Sequence, residues 1–265
     1  MDEFVLKNIE IGYKSRKGNK VLSHDINATL KSGTLTCFLG LNGAGKSTLL
    51  RTMAGFQSAL KGEMFLNGEL ISNYSDTLLS KKIGVVLTDK IAEMSLTATE
   101  LVSMGRMPYT GFFGTLSLYD KKIVKEAIEK VGMSKFANSQ LQNLSDGERQ
   151  KLMIAKVLAQ QTDVILLDEP IAFLDFAAKI DILMLLRRLA HDENKIILLS
   201  IHDIELALQV ADNLWLLDEK GCLSEGLPKQ MAESGRLDMF FNNANVEFDI
   251  QNLTYKIGID SSQLN

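Results

Sequence analysis

A glycine-rich stretch behind a short apolar run constrains the fold of this chain more than any other feature. Leu35–Leu39 is an apolar run typical of a buried strand, and it is followed by a turn at Gly40–Gly45 and by Lys46–Thr48. This is the pattern G-x-x-x-x-G-K-S in a strand–loop–helix setting, where it predicts a loop that holds phosphates. The sequence therefore predicts a nucleoside triphosphate site at the end of a strand.

The residue types in this loop suit different parts of a triphosphate. Gly40, Gly43 and Gly45 have no side chains, so backbone N–H groups can approach phosphate oxygens. The helix that begins near Lys46 adds its unpaired amides and the positive end of its dipole. Lys46 supplies a charge to the terminal phosphates, and the hydroxyl of Ser47 can bind Mg²⁺. The predicted nucleotide-binding residues of the loop are Gly40, Asn42, Gly43, Gly45, Lys46, Ser47 and Thr48.

Composition narrows the class of protein. The chain has 265 residues, of which 46% are hydrophobic and 23% are charged, as in an ordinary globular protein. The longest apolar runs, Val164–Leu167 and Ile196–Leu199, are too short to cross a bilayer. The first residues lack the pattern of a signal peptide, and Cys37 and Cys222 form no disulfide framework. The net charge of −4 gives no case for nucleic acid as a partner. These features predict a reduced, cytosolic location.

Strand candidates alternate with helical segments along the chain. Phe4–Ile11 and Ile26–Leu30 alternate apolar with polar residues and indicate an N-terminal β part, which we expect to be antiparallel. Ile83–Leu87, Val164–Leu167 and Ile196–Ile201 are apolar runs of the kind found in buried parallel strands. The predicted fold class is therefore α/β, with a mostly parallel sheet covered on both faces.

The chain is predicted to form one domain with an insertion. Residues 1–91 and 159–218 would form the α/β core, and residues 92–158 would form a helical subdomain inserted between these two parts. Residues 219–265 are polar and weakly patterned, and they would form a C-terminal extension with a candidate strand at Asn252–Ile257.

The predicted helical subdomain has its own boundary signals. Leu96–Met104 is typical of a helix, and Pro108, followed by two glycines, indicates a loop. Ser117 with Asp120 forms a capping box at the start of the next helix, and Gly132 ends that helix.

Two carboxylates follow the apolar run Val164–Leu167. Asp168 would hold the Mg²⁺ shell, and Glu169, at the mouth of the sheet, can polarise an attacking water and accept its proton. The alternative is an acidic strand end on the surface, which the phosphate loop makes the weaker interpretation.

The segment Leu144–Gln150 starts an apolar-rich helix with a capping box of Ser145 and Glu148. Gly147 within the first turn costs helix stability, which suggests that the backbone approaches something closely. The segment Leu-Ser-Asp-Gly-Glu resembles the signature motif of ATP-binding cassette (ABC) ATPases, which have a P-loop NTPase core.

The resemblance to ABC ATPases covers residues 4–218 and implies further site residues. Tyr13 matches the aromatic residue that stacks on adenine, and Asp175 ends the loop that follows the Asp-Glu pair. His202 matches the histidine that contacts the γ-phosphate, so Glu169 and His202 would be the catalytic residues. His24 and His191 match no motif and are predicted to be surface residues.

The resemblance also implies assembly. ABC cassettes work as head-to-tail dimers, in which the phosphate loop of one copy and the signature of the other enclose ATP. Ser145 and Gly147 would then contact the nucleotide of the partner copy, which would explain a glycine that no site within its own chain requires.

Two positions depart from the family. Thr88-Asp89 stands where a glutamine normally binds Mg²⁺, so Thr88 is at most a weak metal ligand, and Asp146 replaces a glycine.

The stretch Met104–Gly114, followed by Leu116-Ser117 and Asp120, resembles the ATPases of iron-siderophore, haem and cobalamin importers. The resemblance implies bacterial uptake at the cytoplasmic face of the cell membrane, with two integral-membrane permease subunits and a substrate-binding protein. The loop Thr88–Glu93 and the stretch Gly105–Gly114, with Phe112 and Phe113, would receive the permease.

Other classes of ABC protein stay open at this point. An exporter or lipoprotein-release cassette fits the Gly-Arg-Met-Pro-Tyr stretch poorly. Cassettes that act on DNA or ribosomes usually carry a coiled-coil insertion or a second cassette, which this sequence lacks. A regulatory module that does not hydrolyse ATP is disfavoured by Glu169 and His202, whereas Thr88 leaves it open.

Overall fold

The computed structural model describes residues 2–15, 18–87, 95–111, 114–237, 240, 246–249 and 254–257. The strands in these ranges are β1 (Glu3–Tyr13), β2 (Lys20–Lys31), β3 (Thr34–Gly40), β4 (Lys61–Leu66), β5 (Glu69–Leu70), β6 (Ile83–Val86), β7 (Val164–Leu167), β8 (Ile196–Ser200), β9 (Asn213–Leu217), β10 (Leu223–Gly226), β11 (Val246–Asp249) and β12 (Thr254–Ile257). The α-helices are α1 (Lys46–Met53), α2 (Asp76–Leu79), α3 (Ala98–Ser103), α4 (Leu118–Lys130), α5 (Asp146–Ala159), α6 (Phe176–Asp192), α7 (Ile204–Val210) and α8 (Pro228–Glu233).

The main sheet has six strands in the order β10-β9-β3-β8-β7-β6. Neighbouring strands from β9 to β6 are parallel, and β10 pairs antiparallel with β9. The carboxyl ends of β3, β7 and β8 therefore meet at one edge of the sheet, where ligands bind in open α/β sheets. The predicted mostly parallel sheet is confirmed.

A second sheet has the order β2-β1-β4-β5, and all its pairs are antiparallel. The predicted N-terminal antiparallel part is therefore correct, although β2 starts at Lys20 and is longer than the predicted run Ile26–Leu30. Asn67 and Gly68, both with positive φ, form the turn between β4 and β5. This is the chemistry that a two-residue hairpin turn requires.

The two faces of the six-stranded sheet pack against different partners because successive side chains on a strand alternate. Leu35, Cys37 and Leu39 face the core formed with α5 and α6. Phe38 faces the core formed with α1 and the second sheet. There its ring meets Trp215 edge-on, with ring centroids 6.0 Å apart. Both faces of the sheet are covered, as its apolar strands predict.

Between β6 and β7 the described residues form α3, α4, α5 and three short 3₁₀ helices, together with one isolated β-bridge. The capping box of Ser117 and Asp120 is confirmed, and Gly132 follows the end of α4. The predicted loop is correct at Gly111 and Gly114, which lie outside helices and strands, but wrong at Pro108, which lies inside a 3₁₀ helix, Met104–Tyr109. The division of the chain at residues 92 and 158 stays a prediction.

Beyond α7 the structure contains regular elements that the sequence analysis does not assign: β9, β10 and α8. Part of the predicted strand Asn252–Ile257 is present as β12, which pairs with β11. In the part of the chain that the structure describes, no helix is both long and apolar enough to span a bilayer.

Candidate active site

The phosphate loop joins β3 to α1 through two glycines in the left-handed region. Gly43 has φ of +80° and Gly45, which precedes the first residue of α1, has φ of +109°. Both conformations are strained for a residue that has a Cβ. Gly40 is required for a different reason, since a Cβ there would lie 2.9 Å from the carbonyl oxygen of Leu217. The loop therefore exposes the backbone that phosphate oxygens approach.

Lys46 is buried at the start of α1 and its ammonium lies against the loop. Its Nζ donates hydrogen bonds to the carbonyl oxygens of Gly40, at 2.6 Å, and Leu41, at 3.2 Å. Burial lowers the pKa of Lys46, against the opposing effect of the Glu169 and Asp168 carboxylates. The site thus holds a positive charge beside the loop that would bind the terminal phosphates.

Two hydroxyl groups converge on one oxygen of Asp168. Ser47 Oγ donates to Asp168 Oδ1 at 3.0 Å, and Ser200 Oγ donates to the same atom at 2.9 Å. Ser200 Oγ also accepts a hydrogen bond from the backbone N–H of Glu169 at 2.8 Å. Ser200 therefore positions both carboxylate residues that follow β7. Ser200 was not predicted; the available signal was a hydroxyl at the end of a buried strand, two residues before His202.

Glu169 and His202 form a pair at the carboxyl edge of the sheet. Glu169 Oε1 lies 2.7 Å from His202 Nε2, and both side chains are partly exposed. The backbone of Glu169 has φ of +49°, which is uncommon for a residue with a side chain. The turn that follows is closed by a hydrogen bond from Ala172 N to Glu169 O at 3.1 Å. A partly exposed carboxylate held by a histidine in this way can accept a proton from water.

A cleft of about 290 Å³ lies over the phosphate loop and Glu169. Its lining residues are Tyr13, Lys20, Leu22, Asn42, Gly43, Gly45, Lys46, Ser47, Thr48 and Glu169. The hydroxyl of Tyr13 lies 3.1 Å from Thr48 Oγ1, so the aromatic ring is connected to α1. Lys20 is the cross-strand partner of Tyr13, and its place in the cleft was not predicted. The cleft thus has an aromatic end and a phosphate end.

The residues at the phosphate end fit a magnesium ion. Ser47 and Asp168 offer a hydroxyl and a carboxylate oxygen in contact with each other, which are the hard oxygen ligands that Mg²⁺ prefers in phosphate sites. Within the described ranges there is no group of three or more His, Cys, Asp or Glu side chains able to hold a metal. The third predicted metal ligand, Thr88, and its neighbour Asp89 lie outside the described residues.

Ser145 and Gly147, at the start of α5, are not among the residues that line this cleft. Ser145 and Glu148 form the predicted capping box. A Cβ on Gly147 would lie 3.1 Å from the Cβ of Ala178, in the first turn of α6. Gly147 therefore has a close neighbour within its own chain, and its contact with the nucleotide of a partner copy stays a prediction.

Asp146 and Asp175 have local partners in the structure. Asp146 Oδ1 lies 2.5 Å from Arg149 Nη2, so its carboxylate is paired with a cation one helical turn away. Asp175 caps α6 by accepting a hydrogen bond from Ala178 N at 2.8 Å. Asp175 does not line the cleft of its own chain. A role for it in nucleotide binding stays a prediction.

Comparison with known proteins decides which class of triphosphate site this is. The model of the ABC transporter family matches residues 23–172, which is more than half of the chain. The chain belongs to the ABC transporter family. It is an ATP-binding subunit of the ATPase class, and its fold is that of an ABC cassette.

Relatives of this ABC ATPase include transport proteins from archaea and bacteria. An uncharacterised ABC transporter ATP-binding protein of Methanocaldococcus jannaschii is 39% identical over 242 residues, covering 91% of this chain and 82% of the relative. The iron(3+)-hydroxamate import ATP-binding protein FhuC of Bacillus subtilis is 36% identical, covering 85% of this chain and 82% of the relative. A bacterial ABC transporter cassette with a dimeric structure is 27% identical, with a TM-score of 0.71, covering 85% of this chain and 98% of that chain.

Proposed function

We propose that this ABC ATPase is the ATP-hydrolysing subunit of a bacterial importer for iron-siderophore complexes, haem or cobalamin. Two copies would bind head-to-tail at the cytoplasmic face of the cell membrane, beneath two permease subunits that are served by a substrate-binding protein. The stretch Met104–Gly114 and the name of the Bacillus subtilis relative support this class. Ferric siderophores are therefore the first substrates to test.

The observation that carries hydrolysis is the distance of 2.7 Å between Glu169 Oε1 and His202 Nε2, beside the phosphate loop. In the proposed mechanism, Glu169 orients a water molecule and accepts its proton, and His202 holds that carboxylate in place. Tyr13 stacks on the base, and Lys46 binds the terminal phosphates. Ser47 and Asp168 would hold Mg²⁺, which neutralises phosphate charge when it is bound.

The head-to-tail dimer is supported by the position of the signature residues. Ser145 is exposed, and neither it nor Gly147 lines the cleft of its own chain. The capping box satisfies the N–H groups of Ser145 and Glu148, and the positive end of the helix dipole at the start of α5 favours an anion. In the proposed dimer, this end of α5 closes the nucleotide site of the partner copy.

The substitution Glu169→Gln tests hydrolysis and dimerisation together. It keeps the shape and hydrogen bonding of the side chain but removes the base, so hydrolysis should fall by ~10²–10⁴-fold. ATP should still bind, and the bound nucleotide should hold the dimer together in size-exclusion chromatography with light scattering. Glu219→Gln, at an exposed position, is the matched control. Hydrolysis at the wild-type rate in Glu169→Gln would rule out the assigned base.

The import assignment needs a separate experiment. The chain should co-purify with integral-membrane subunits from detergent-solubilised native membranes. The substrate-binding protein encoded with those subunits is then titrated with a ferric hydroxamate, with haem and with cobalamin. Binding of one of the three supports the assignment. Co-purification with subunits of an exporter, or a binding protein that takes none of them, contradicts it.

A further inference from the structure

The carboxyl-terminal end of α5 is held by a buried arginine from the 3₁₀ helix Met104–Tyr109. Arg106 is 1% exposed. Its Nη1 donates to the carbonyl oxygen of Ala159, the last residue of α5, at 2.7 Å, and to Gln161 Oε1 at 2.8 Å. Its Nε donates to Asp120 Oδ1 at 2.8 Å. A single guanidinium therefore connects the end of α5 to the first turn of α4.

Two neighbours of Arg106 contact the same helix end. Tyr109 donates its hydroxyl to the carbonyl oxygen of Gln160 at 2.9 Å, and the Arg106 guanidinium lies 3.9 Å from the centre of the Tyr109 ring. A Cβ on Gly105 would lie 2.1 Å from the carbonyl oxygen of Lys156, so only glycine lets this segment lie so close to α5. Carbonyls at a helix end lack intrahelical partners, and a cation there is favourable. The segment caps α5.

The capped end is also attached to the main sheet and to α4. The Gln160 side-chain amide donates to the backbone oxygens of Ser80 and Ile83, next to β6. Asp120 Oδ2 accepts hydrogen bonds from the hydroxyl and the backbone N–H of Ser117. These bonds, together with the guanidinium of Arg106, hold the pKa of Asp120 below its usual range. The end of α5 is thus fixed against two other parts of the fold.

The other end of α5 carries the signature residues. The helix has 14 residues, so its ends are ~20 Å apart and are joined by a continuous series of backbone hydrogen bonds. We propose that Arg106 is a positioning residue for ATP hydrolysis: by fixing the end of α5, it sets where Ser145 and Gly147 stand relative to the phosphate loop. This inference rests on the proposed head-to-tail dimer, in which those two residues meet the nucleotide of the partner copy.

The substitutions Arg106→Lys and Asp120→Asn test this role. Lysine keeps the charge but cannot make the planar, multiply bonded contact, and asparagine keeps the shape but removes the negative charge of the ion pair. In both variants kcat should fall by about tenfold, because small misplacements of contacting groups are costly. The Kd for ATP of the separate protomer should stay within about twofold, since the phosphate loop is untouched. Lys122→Ala, an exposed ion-pair residue on α4, is the control.

Dimerisation separates this inference from the function on which it rests. In the Glu169→Gln background, ATP should hold the dimer together when Arg106 is intact and less so with Arg106→Lys. If the parent does not dimerise, the proposed function fails. If parent and Arg106→Lys variant dimerise equally and kcat is unchanged in folded protein, only the role of Arg106 is overturned. A parallel fall in kcat and ATP affinity, with a lower melting temperature, would reduce Arg106 to a structural residue.

Discussion

At the scale of single residues, Ser200 shows how a side chain outside any motif organises the site. It connects Asp168 to the backbone of Glu169, and all three residues lie at the carboxyl edge of the sheet. The register explains the contact: Leu167 pairs with Leu199, so the residues that follow them, Asp168 and Ser200, also lie side by side. The two carboxylates are therefore positioned from a neighbouring strand.

Replacing Ser200 with alanine should lower kcat by about tenfold while KM for ATP changes little. The change removes one hydrogen bond to Asp168 and leaves the N–H of Glu169 without its partner, at a cost of ~1–3 kcal/mol for a buried donor. Steady-state ATPase assays measure both constants, and Ser234→Ala, which removes a hydroxyl that bonds Met231 O and does not line the cleft, is the control. An unchanged kcat would show that Glu169 needs no support from Ser200.

The predictability of these residues follows from how local their constraints are. Gly43, Gly45 and Lys46 were predictable because a phosphate loop imposes its backbone conformation and its charge within a few consecutive residues. Ser200 was not, because its role comes from the pairing of β7 with β8, which are far apart in sequence. Lys20 was not, because its place opposite Tyr13 depends on the register of β1 with β2. Arg106 gives a similar lesson, since its partners Asp120 and Ala159 are brought together only by helix packing.

At the scale of elements, two constraints can explain a glycine at position 147, in the first turn of α5. Its close neighbour is Ala178 of α6 in the same chain, and in the proposed dimer its backbone faces the nucleotide of the partner copy. Away from such constraints, glycine in a helix is ~1 kcal/mol less favourable than alanine. A packing constraint or a ligand must therefore offset this cost.

The variant Gly147→Ala, alone and combined with Ala178→Gly, separates these explanations. The second change removes the methyl group that the new side chain would crowd. We expect Gly147→Ala to reduce ATP hydrolysis by at least about tenfold, and the double variant to regain stability but not activity. Thermal unfolding and ATPase assays on the three proteins provide the comparison. Full recovery of hydrolysis in the double variant would assign Gly147 to packing alone.

Elements with a strong period or cap were predictable, and those shaped by tertiary contacts were not. The capping boxes at Ser117 and Ser145 place the starts of α4 and α5 because the bonds involved span only three residues. The 3₁₀ helix around Pro108 was mistaken for a loop because proline is read as a breaker. Here the buried Arg106 holds that segment on α5, and tertiary packing overrides the local signal.

At the scale of the whole molecule, the active-site residues lie at the carboxyl edge of the parallel sheet, and a different surface carries exposed apolar side chains. The described residues include an apolar patch, which we define as Met107, Tyr109, Leu118 and Tyr119. Met107 is 69% exposed, Leu118 is 86% exposed and Tyr119 is 60% exposed. The Arg106–Asp120 contact brings the two segments of the patch together. Phe112 and Phe113, predicted to share this surface, lie outside the described residues.

Exposed apolar clusters of this kind commonly mark a partner site. In the proposed importer the partner is the permease, and the patch continues directly into the cap of α5. Binding at Met107 would therefore act on the carboxyl-terminal end of α5, and Ser145 and Gly147 lie at the other end of the same helix. In the proposed importer, α5 would then connect the patch to the nucleotide site of the partner copy, as coupling of hydrolysis to transport requires.

The double variant Met107→Ser with Leu118→Ser tests the patch. Neither side chain makes a hydrogen bond that serine would break, so ATP binding and hydrolysis by the isolated cassette should stay within about twofold of wild type. Recovery of the permease in a pull-down from native membranes should fall by at least about tenfold, because exposed apolar anchors dominate such interfaces. Leu78→Ser, at another exposed leucine, should pull down the permease normally. Full recovery with the double variant would mean that the permease binds a different surface of this ABC ATPase.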